Sequence, residues 1–233
     1  MKKIGIVGGL GPEATLYYYR VLIDLCHENK DLGANYPEII IYSLNLEECR
    51  QMMELGNWGQ LTTKLLAALQ SLYRAGADFG LIAANTPHMV FEDVEAKSLI
   101  PLLSIVEETC NAITERGLSK VGLIGTLITM QANFYRDVFN KGNISIVVPK
   151  EDEQAYIYNK IASELGLGIM LDETRNNFLK IAQRMIDQES IQGLILGCTE
   201  IPLLLTKEEL GIPFFDTSKI HAQNALKYCL SET

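Results

Sequence analysis

The chain has 233 residues, a formal net charge of −9, 48% hydrophobic residues and 21% charged residues. This balance is ordinary for a globular protein with a sizeable core, and it excludes a largely disordered chain. Because an acidic surface repels phosphate backbones and no cluster of lysine or arginine interrupts it, we expect no nucleic-acid partner.

The five cysteines form no CxxC pair, and the sequence opens directly on an apolar strand pattern at Ile4–Val7. An odd number of cysteines without a preceding signal segment is typical of reduced thiols in the cytoplasm. No apolar run approaches the roughly 18 residues of a membrane helix, so we also expect no membrane partner.

Short apolar runs alternate with longer helical patterns along the chain. Strands are predicted at Lys3–Gly8, Glu38–Leu44, Phe79–Ala83, Leu102–Ile105, Ser119–Gly125, Ile144–Val148, Gly193–Leu196 and Pro213–Phe215. Helices are predicted at 12–28, 59–75, 105–116, 129–141, 152–165, 171–188 and 217–230. Continuously apolar strands between helices predict an α/β fold whose mainly parallel sheet is covered by helices on both faces.

The sequence also resembles itself. The strand pattern Lys3–Gly8 is echoed by Lys120–Gly125, and Gly80–Thr86 is echoed by Gly193–Thr199. Two matched pairs in the same order predict two pseudo-symmetric α/β lobes. Ligands of such sheets bind beyond the carboxyl ends of the strands, so we expect the four echoed turns to line one cleft between the lobes.

The first of these turns is rich in glycine, and Leu10 and Gly11 are its candidate binding residues. Its Gly9-x-Gly11-x-x-Ala14 spacing matches a dinucleotide fingerprint, which leaves a nicotinamide oxidoreductase as an alternative. The acid that should follow the second strand is absent, because that strand ends in Asn45. A carboxylate at the helix N-terminus and a tight turn without a ligand both remain open.

The second turn offers Asn85 and Thr86 as hydrogen-bond donors, followed by His88. His88 is a candidate proton carrier, although a histidine here also packs well against a helix start. In the third turn the candidates are Thr126 and Thr129. Thr129 has the alternative role of capping the next helix.

The fourth turn places Cys198 and Thr199 between a strand end and a helix start. Amide dipoles there are expected to lower the pKa of the thiol towards neutrality, whereas Glu200 opposes that shift. The alternative is an inert buried cysteine, which is the usual state of a free thiol.

These motifs together resemble the aspartate/glutamate racemase family over essentially the whole chain. The motifs that carry the resemblance are the GGxGPxAT element in Ile4–Thr15, Asn85-Thr86, Leu123–Thr126 with Thr129-Met130, Gly197–Glu200, and Phe215–Thr217 with His221. The resemblance implies catalysis without pyridoxal phosphate or metal, and a homodimer. It also implies one lobe from residues 1–100 plus 208–233 and a second from 101–207.

The family exchanges the substrate α-proton between two cysteines on opposite faces of the α-carbon. The second-lobe cysteine corresponds to Cys198, and the first-lobe cysteine corresponds to Ala84, which carries no proton. The resemblance therefore implies an amino-acid racemase that works through Cys198, either with a substitute proton carrier such as His88, Thr86 or a water, or from one face only. The alternatives are a single-cysteine decarboxylase of a malonate-like acid, or a binding protein for a small acid that has lost its activity.

Overall fold

A computed structural model describes residues 1–205 and 210–231. The strands of the described ranges are β1 (Ile4–Gly8), β2 (Ile39–Ser43), β3 (Phe79–Ile82), β4 (Leu102–Leu103), β5 (Lys120–Gly125), β6 (Ser145–Val147), β7 (Leu194–Gly197) and β8 (Phe214–Asp216). The α-helices there are α1 (Pro12–Glu28), α2 (Leu46–Glu54), α3 (Trp58–Arg74), α4 (Phe91–Glu95), α5 (Ile105–Glu115), α6 (Leu127–Gln131), α7 (Phe134–Lys141), α8 (Glu151–Ser163), α9 (Asp172–Glu189), α10 (Ile201–Leu204) and α11 (Thr217–Leu230). Two short 3₁₀ helices span Thr86–Val90 and Leu165–Leu167.

The chain divides into two compact units. Unit 1 is Met1–Glu108 with Ser218–Thr233, and unit 2 is Thr109–Thr217. The lobe boundary predicted at 100/101 stays a prediction, and the units part later in the chain, within α5. The other predicted boundary, at 207/208, lies outside the described residues.

Each unit contains a parallel sheet, and the two sheets share one strand order. In the described ranges the order is β2-β1-β3-β4 in unit 1 and β6-β5-β7-β8 in unit 2, with parallel pairing throughout. The equivalence of β1 with β5, and of β3 with β7, is the one that the repeated sequence patterns predict. The predicted fold class, two pseudo-symmetric α/β lobes, is therefore confirmed.

Helices cover both faces of the unit 1 sheet, as the continuous apolar strands predict. The side chains of Ile6 in β1 and Leu81 in β3 lie on one face of the sheet. Those of their neighbours Val7 and Ile82 lie on the other face. Side chains of α1 and α11 cover the first face and side chains of α3 cover the second. Since a strand alternates its side chains, burial of every residue in β1 and β3 requires both layers.

The helical regions differ from the prediction in detail. The helix predicted at 129–141 is divided into α6 and α7, because Ala132 has an extended backbone with φ −72° and ψ 163°. The short helices α2, α4 and α10 were not predicted. Within residues 1–205 and 210–231, no helix combines the length and the apolar character needed to cross a membrane.

Candidate active site

The predicted site residues of unit 2 follow two neighbouring strands, β5 and β7. Gly125 and Gly197 are paired across these strands, so the residues that follow them, Thr126 and Cys198, leave the sheet at the same level. The chain connects β5 to β6 on one side and reaches β7 on the other, so this is the topological switch point of the sheet. Open α/β sheets bind their ligands at such a point.

A cysteine, a threonine and a carboxylate meet after β7. The Cys198 thiol donates a hydrogen bond to Oε2 of Glu200 across 2.9 Å, and the Thr199 hydroxyl donates to the same oxygen across 2.9 Å. The side chains of Cys198 and Thr199 are each 7% exposed, and that of Glu200 is half-buried. Cys198 packs against the apolar core of unit 2, but its sulfur has a polar partner.

The Cys198 thiol is protonated at rest. Its pKa lies well above the ordinary value, first because the sulfur is buried and then because the charge and hydrogen bond of Glu200 oppose a thiolate. The backbone N–H groups of Thr199 and Glu200 act in the opposite direction and are outweighed. The expected lowering of this pKa is therefore wrong, since α10 is short and contributes little dipole to set against burial and a nearby carboxylate.

A pair of glycines permits the close packing of this site. A Cβ atom on Gly125 would lie 2.8 Å from the Gly197 carbonyl oxygen, and one on Gly197 would lie 3.1 Å from the Ile124 oxygen. The Thr129 methyl group covers both positions, at 3.2 Å from either Cβ. Larger residues would therefore force β5, β7 and Thr129 apart.

The two threonines after β5 contact each other. Thr126 caps α6, because its hydroxyl accepts from the Thr129 N–H across 3.2 Å and donates to the Thr129 hydroxyl across 3.0 Å. The predicted alternative gave this capping role to Thr129. Thr129 is fully buried inside the helix, whereas Thr126 is half-buried at its start. Of the two, only Thr126 retains surface that a ligand can reach.

In unit 1 the glycine-rich turn follows β1 and is held by Thr15 of α1. The Thr15 hydroxyl accepts from the Gly9 N–H across 2.9 Å and donates to the Gly11 carbonyl across 3.2 Å. Gly9 has a φ of +77°, and a Cβ there would lie 2.2 Å from the Leu44 oxygen. Leu10 packs partly against the apolar core, and Gly11 is the N-cap of α1. Thr15 was not predicted as a functional residue, although it ends the GGxGPxAT pattern.

Beside this turn, Ala84, Asn85 and Thr86 follow β3. β1 and β3 are neighbours at the switch point of unit 1, so the two turns leave the sheet at one edge. Ala84 is 8% exposed and Asn85 is 4% exposed, whereas Thr86 is half-buried. The sheet thus places all four predicted residues of unit 1, namely Leu10, Gly11, Asn85 and Thr86, on the same edge.

His88 does not suit the predicted role of proton carrier. Its Nδ1 lies 2.9 Å from the Ala84 carbonyl oxygen, and its Nε2 lies 3.2 Å from the Ile105 backbone nitrogen. Both ring nitrogens are thus occupied by backbone groups. Burial, and secondarily the nearby imidazole of His221, lower the pKa of His88 to about 3. A group that stays neutral and has no free nitrogen cannot relay protons near neutral pH.

Two basic side chains, those of Arg50 and Lys160, are paired with carboxylates of their own helices or of the helix end. Arg50 of α2 is paired with Glu47 at 2.8 Å and with Glu54 at 2.5 Å. Lys160 of α8 is paired with Glu164.

Among the described residues, no group of three or more histidine, cysteine, aspartate or glutamate side chains is placed to hold a metal ion.

Comparison with known proteins identifies the family. The sequence model of the Asp/Glu/Hydantoin racemase family matches residues 7–225 of this chain. The chain belongs to this family. It is therefore an isomerase of the racemase class, as its turns after β1, β3, β5 and β7 predict.

Several racemases are similar to it over their full length. The broad specificity amino-acid racemase RacX of Bacillus subtilis is 26% identical over 98% of both chains. The crystal structure of an aspartate racemase homologue from Pyrococcus horikoshii is 37% identical, with a TM-score of 0.87, covering 99% of this chain and 100% of that one. The aspartate racemase of Picrophilus torridus, 21% identical over 97% and 94% of the chains, shares the fold with a TM-score of 0.78.

In this member of the racemase family, the ionisable groups of the two equivalent turns differ. Glu200, which the predicted site omits, accepts a hydrogen bond from the Cys198 thiol. Its position two residues after the cysteine was the signal in the sequence. The equivalent turn of unit 1 carries Ala84 and a buried neutral histidine instead.

Proposed function

We propose that this chain is an amino-acid racemase that exchanges the substrate α-proton through Cys198, without pyridoxal phosphate. We propose further that exchange outpaces inversion, because residue 84 is alanine. The observation that carries the proposal is the hydrogen bond from the Cys198 thiol to Glu200 at 2.9 Å, at the switch point of the unit 2 sheet. Family membership and similarity to RacX support a small amino acid as the substrate.

The Cys198–Glu200 pair can produce a thiolate despite the raised pKa of the thiol. When the thiol proton passes to Oε2 of Glu200, a thiolate lies beside a neutral carboxylic acid, and the repulsion between two anions is removed. The thiolate then takes the α-proton. The Cα–H bond breaks, its electron pair remains on the substrate as an enolate, and a new S–H bond forms.

Exchange and inversion then place different demands on the protein. Exchange needs only Cys198, because the sulfur can return a solvent-derived proton to the face from which it took one. Glu200, which is half-buried, can renew that proton from solvent. Inversion needs an acid on the other face, and the sequence offers Ala84 at the position corresponding to the family's other cysteine.

Two hydroxyl groups and two backbone N–H groups support substrate binding near Cys198. Thr126 and Thr199 carry hydroxyl groups after β5 and β7, and N–H groups of residues 199 and 200 lie within hydrogen-bonding reach of the sulfur. Such donors stabilise negative charge that develops on a substrate carboxylate during enolate formation. We also propose a cytoplasmic enzyme that acts as a homodimer, as the resemblance to the family implies.

The test compares α-deuterium uptake with change of configuration. In deuterated water, the wild-type protein should exchange the α-proton of at least one L-amino acid, including aspartate, glutamate and neutral residues, about tenfold or more faster than it inverts it. Cys198→Ala should lower exchange by about 10³-fold, as expected when a general acid–base group is removed. Cys110→Ala is the matched control, because Cys110 is also 7% exposed and also lies in unit 2.

The result contradicts the proposal if no amino acid takes up deuterium, or if Cys198→Ala retains the wild-type rate. Equal rates of exchange and inversion would retain the racemase but reject the one-sided mechanism. Absence of any reaction, together with unchanged amino-acid affinity in Cys198→Ala, would instead favour the binding protein that has lost its activity.

A decarboxylase of malonate-like acids is the second candidate. It is favoured by the protonated resting state of the Cys198 thiol, because such a reaction needs one acid to protonate the enolate left by loss of carbon dioxide. Incubation with substituted malonates separates the candidates. Carbon dioxide release that depends on Cys198, without α-deuterium uptake by any amino acid, would select the decarboxylase.

A further inference from the structure

We propose that His88 is a positioning residue, which holds the turn Ala84–Thr86 in its working conformation through a hydrogen bond from Nδ1–H to the Ala84 carbonyl. The inference deepens the proposed function, since this turn carries two of the candidate substrate donors. The hydrogen bonds of the His88 ring support this positioning role, whereas they do not suit the predicted role of proton carrier.

The two ring contacts define the tautomer of His88. The Ile105 backbone N–H can only donate, so the Nε2 atom 3.2 Å away must accept and carries no hydrogen. The hydrogen of the neutral ring is then on Nδ1, which donates to the Ala84 carbonyl oxygen at 2.9 Å. One imidazole thus connects the end of β3 to the first N–H of α5.

The orientation of the ring is held by packing. His88 is 3% exposed, and its ring is stacked on Phe91 with centroids 4.9 Å apart and an angle of 7° between the planes. On another side lies His221, with centroids 6.3 Å apart and nearly perpendicular planes. The stack on Phe91 holds the plane of the ring, so the donor atom is aimed at Ala84.

The charge of the ring supports the same role. The groups facing it are His221 and, beyond that ring, Tyr18, whose hydroxyl lies 2.9 Å from Nδ1 of His221. Burial lowers the pKa of His88 to about 3 and that of His221 to about 4. Both rings therefore stay neutral at physiological pH, and the tautomer of His88 does not change there.

A fixed Ala84 carbonyl determines the geometry of the candidate donors. The carbonyl of Ala84 and the N–H of Asn85 belong to one planar peptide group, so holding the oxygen also aims that N–H. Asn85 begins the 3₁₀ helix with φ −79° and ψ −54°, and its carbonyl accepts from the His88 N–H across 2.9 Å. A misplacement of about 1 Å at such a site can reduce rate by about 10²-fold.

Two amide substitutions separate the two ring contacts. His88→Asn places an amide near Nδ1 and can still donate to Ala84, whereas His88→Gln places its amide near Nε2 and can only replace the contact with Ile105. His221→Gln is the matched control, because His221 is also fully buried with both ring nitrogens engaged, but its partners, the Tyr18 hydroxyl and the Leu103 carbonyl, lie outside the turn.

The activity measurement is α-deuterium exchange, with kcat and KM determined separately. We expect His88→Gln to lose about 10²-fold in kcat/KM. His88→Asn should remain within about threefold of the wild type, and so should His221→Gln, even where its melting temperature falls as far as that of His88→Gln. Equal losses in His88→Asn and His88→Gln, or a loss in His221→Gln that follows its melting temperature, would reduce His88 to a general stabilising residue.

Nuclear magnetic resonance of the unliganded full chain tests positioning without any reaction. The imidazole ¹⁵N shifts should report the neutral Nδ1–H form of His88 from pH 8 to pH 5. The amide signals of Asn85 and Thr86 should move in His88→Gln and remain in place in His88→Asn and His221→Gln. An Nε2–H tautomer, or unmoved amide signals in His88→Gln, would overturn the inference. Deuterium uptake absent from the wild-type protein, with these signals behaving as expected, would instead reject the proposed function alone.

Discussion

The turns after β3 and β7 occupy equivalent places in two sheets of the same strand order, but they use these places differently. After β7, Cys198 and Glu200 form a thiol–carboxylate pair. After β3, Ala84 has no ionisable group, and its carbonyl is held by a buried neutral histidine. One turn thus presents two ionisable side chains, whereas the other presents a backbone carbonyl held by a neutral ring.

This difference shows what a duplicated fold conserves and what it does not. β3 and β7 share parallel pairing, small residues at the strand end and polar residues in the turn that follows. These features belong to the carboxyl edge of a parallel sheet. The proposed reacting group depends on a single side chain, Cys198, and the resemblance to the family implies a second one at position 84. Substitutions that make one turn more like the other, or less like it, therefore test this difference.

The largest effect is expected from Glu200→Gln, which removes the carboxylate from the β7 turn. Without an acceptor for the thiol proton, α-deuterium exchange should fall by about 10²- to 10³-fold. The charge of Glu200 also raises the pKa of the Cys198 thiol, so the same substitution should lower that pKa. Alkylation of Cys198, followed by peptide mass spectrometry across a pH series, should accordingly begin at lower pH in the variant.

Thr199→Val provides the comparison for Glu200→Gln. It removes the other hydrogen bond to Oε2 of Glu200 but leaves both the carboxylate and the thiol in place. We expect exchange within about tenfold of the wild type and no earlier alkylation. If alkylation of Cys198 in Glu200→Gln begins at higher pH, the electrostatic account of this site is incorrect.

A smaller, positive effect is expected from Ala84→Cys, which gives the β3 turn the group it lacks. A thiol at this position restores the residue that the resemblance to the racemase family implies, so the rate of inversion relative to exchange should rise by roughly tenfold. Circular dichroism follows inversion and proton resonance follows exchange. The position is 8% exposed, so a melting curve should accompany both measurements.

Ala84→Ser is the control for size, because it adds one heavy atom without an effective acid. Its ratio of inversion to exchange should remain that of the wild type. A rise in both variants would assign the effect to packing, and an unchanged ratio in a folded Ala84→Cys protein would remove position 84 from the reaction.

Much of the fold could be predicted from the sequence. The inner strands β1, β3, β5 and β7 are short, apolar and buried on both faces, so their positions and the two repeated units follow from periodicity and self-similarity. The division between α6 and α7 could not be predicted, because it depends on the extended backbone of Ala132 within an otherwise helical pattern. The short helices α2, α4 and α10 contain too few residues for a periodic signal.

The site was predicted less completely than the fold. Cys198 and the turn residues stay predictions, made from strand ends that are visible in the sequence as changes of pattern. The predicted direction of the Cys198 pKa shift was wrong, because the shift depends on the balance of burial, a carboxylate and two backbone N–H groups. The ring contacts of His88 could not be predicted either. The Ile105 backbone N–H that donates to Nε2 lies on a different element, 17 residues further along the chain.

The smallest effect concerns stability, and it separates the histidine-backed turn from the cysteine turn. In the folded protein the pKa values of His88 and His221 are about 3 and about 4, below the ordinary 6.5. The unfolded chain therefore binds more protons below pH 6.5, so the stabilisation is complete above pH 6.5 and is lost as the pH falls towards 4. As the pH falls through this window, each histidine should lower the free energy of unfolding by about 1.4 kcal/mol for every unit of pH.

Urea unfolding of the wild-type protein and of His221→Gln between pH 7 and pH 5 measures this contribution. Glutamine does not titrate, so the variant should lose the slope of one histidine, while the titration of carboxylates elsewhere affects both proteins alike. Parallel slopes for the wild type and His221→Gln would mean that His221 is protonated in the folded state, and the buried neutral network behind the β3 turn would then have to be abandoned.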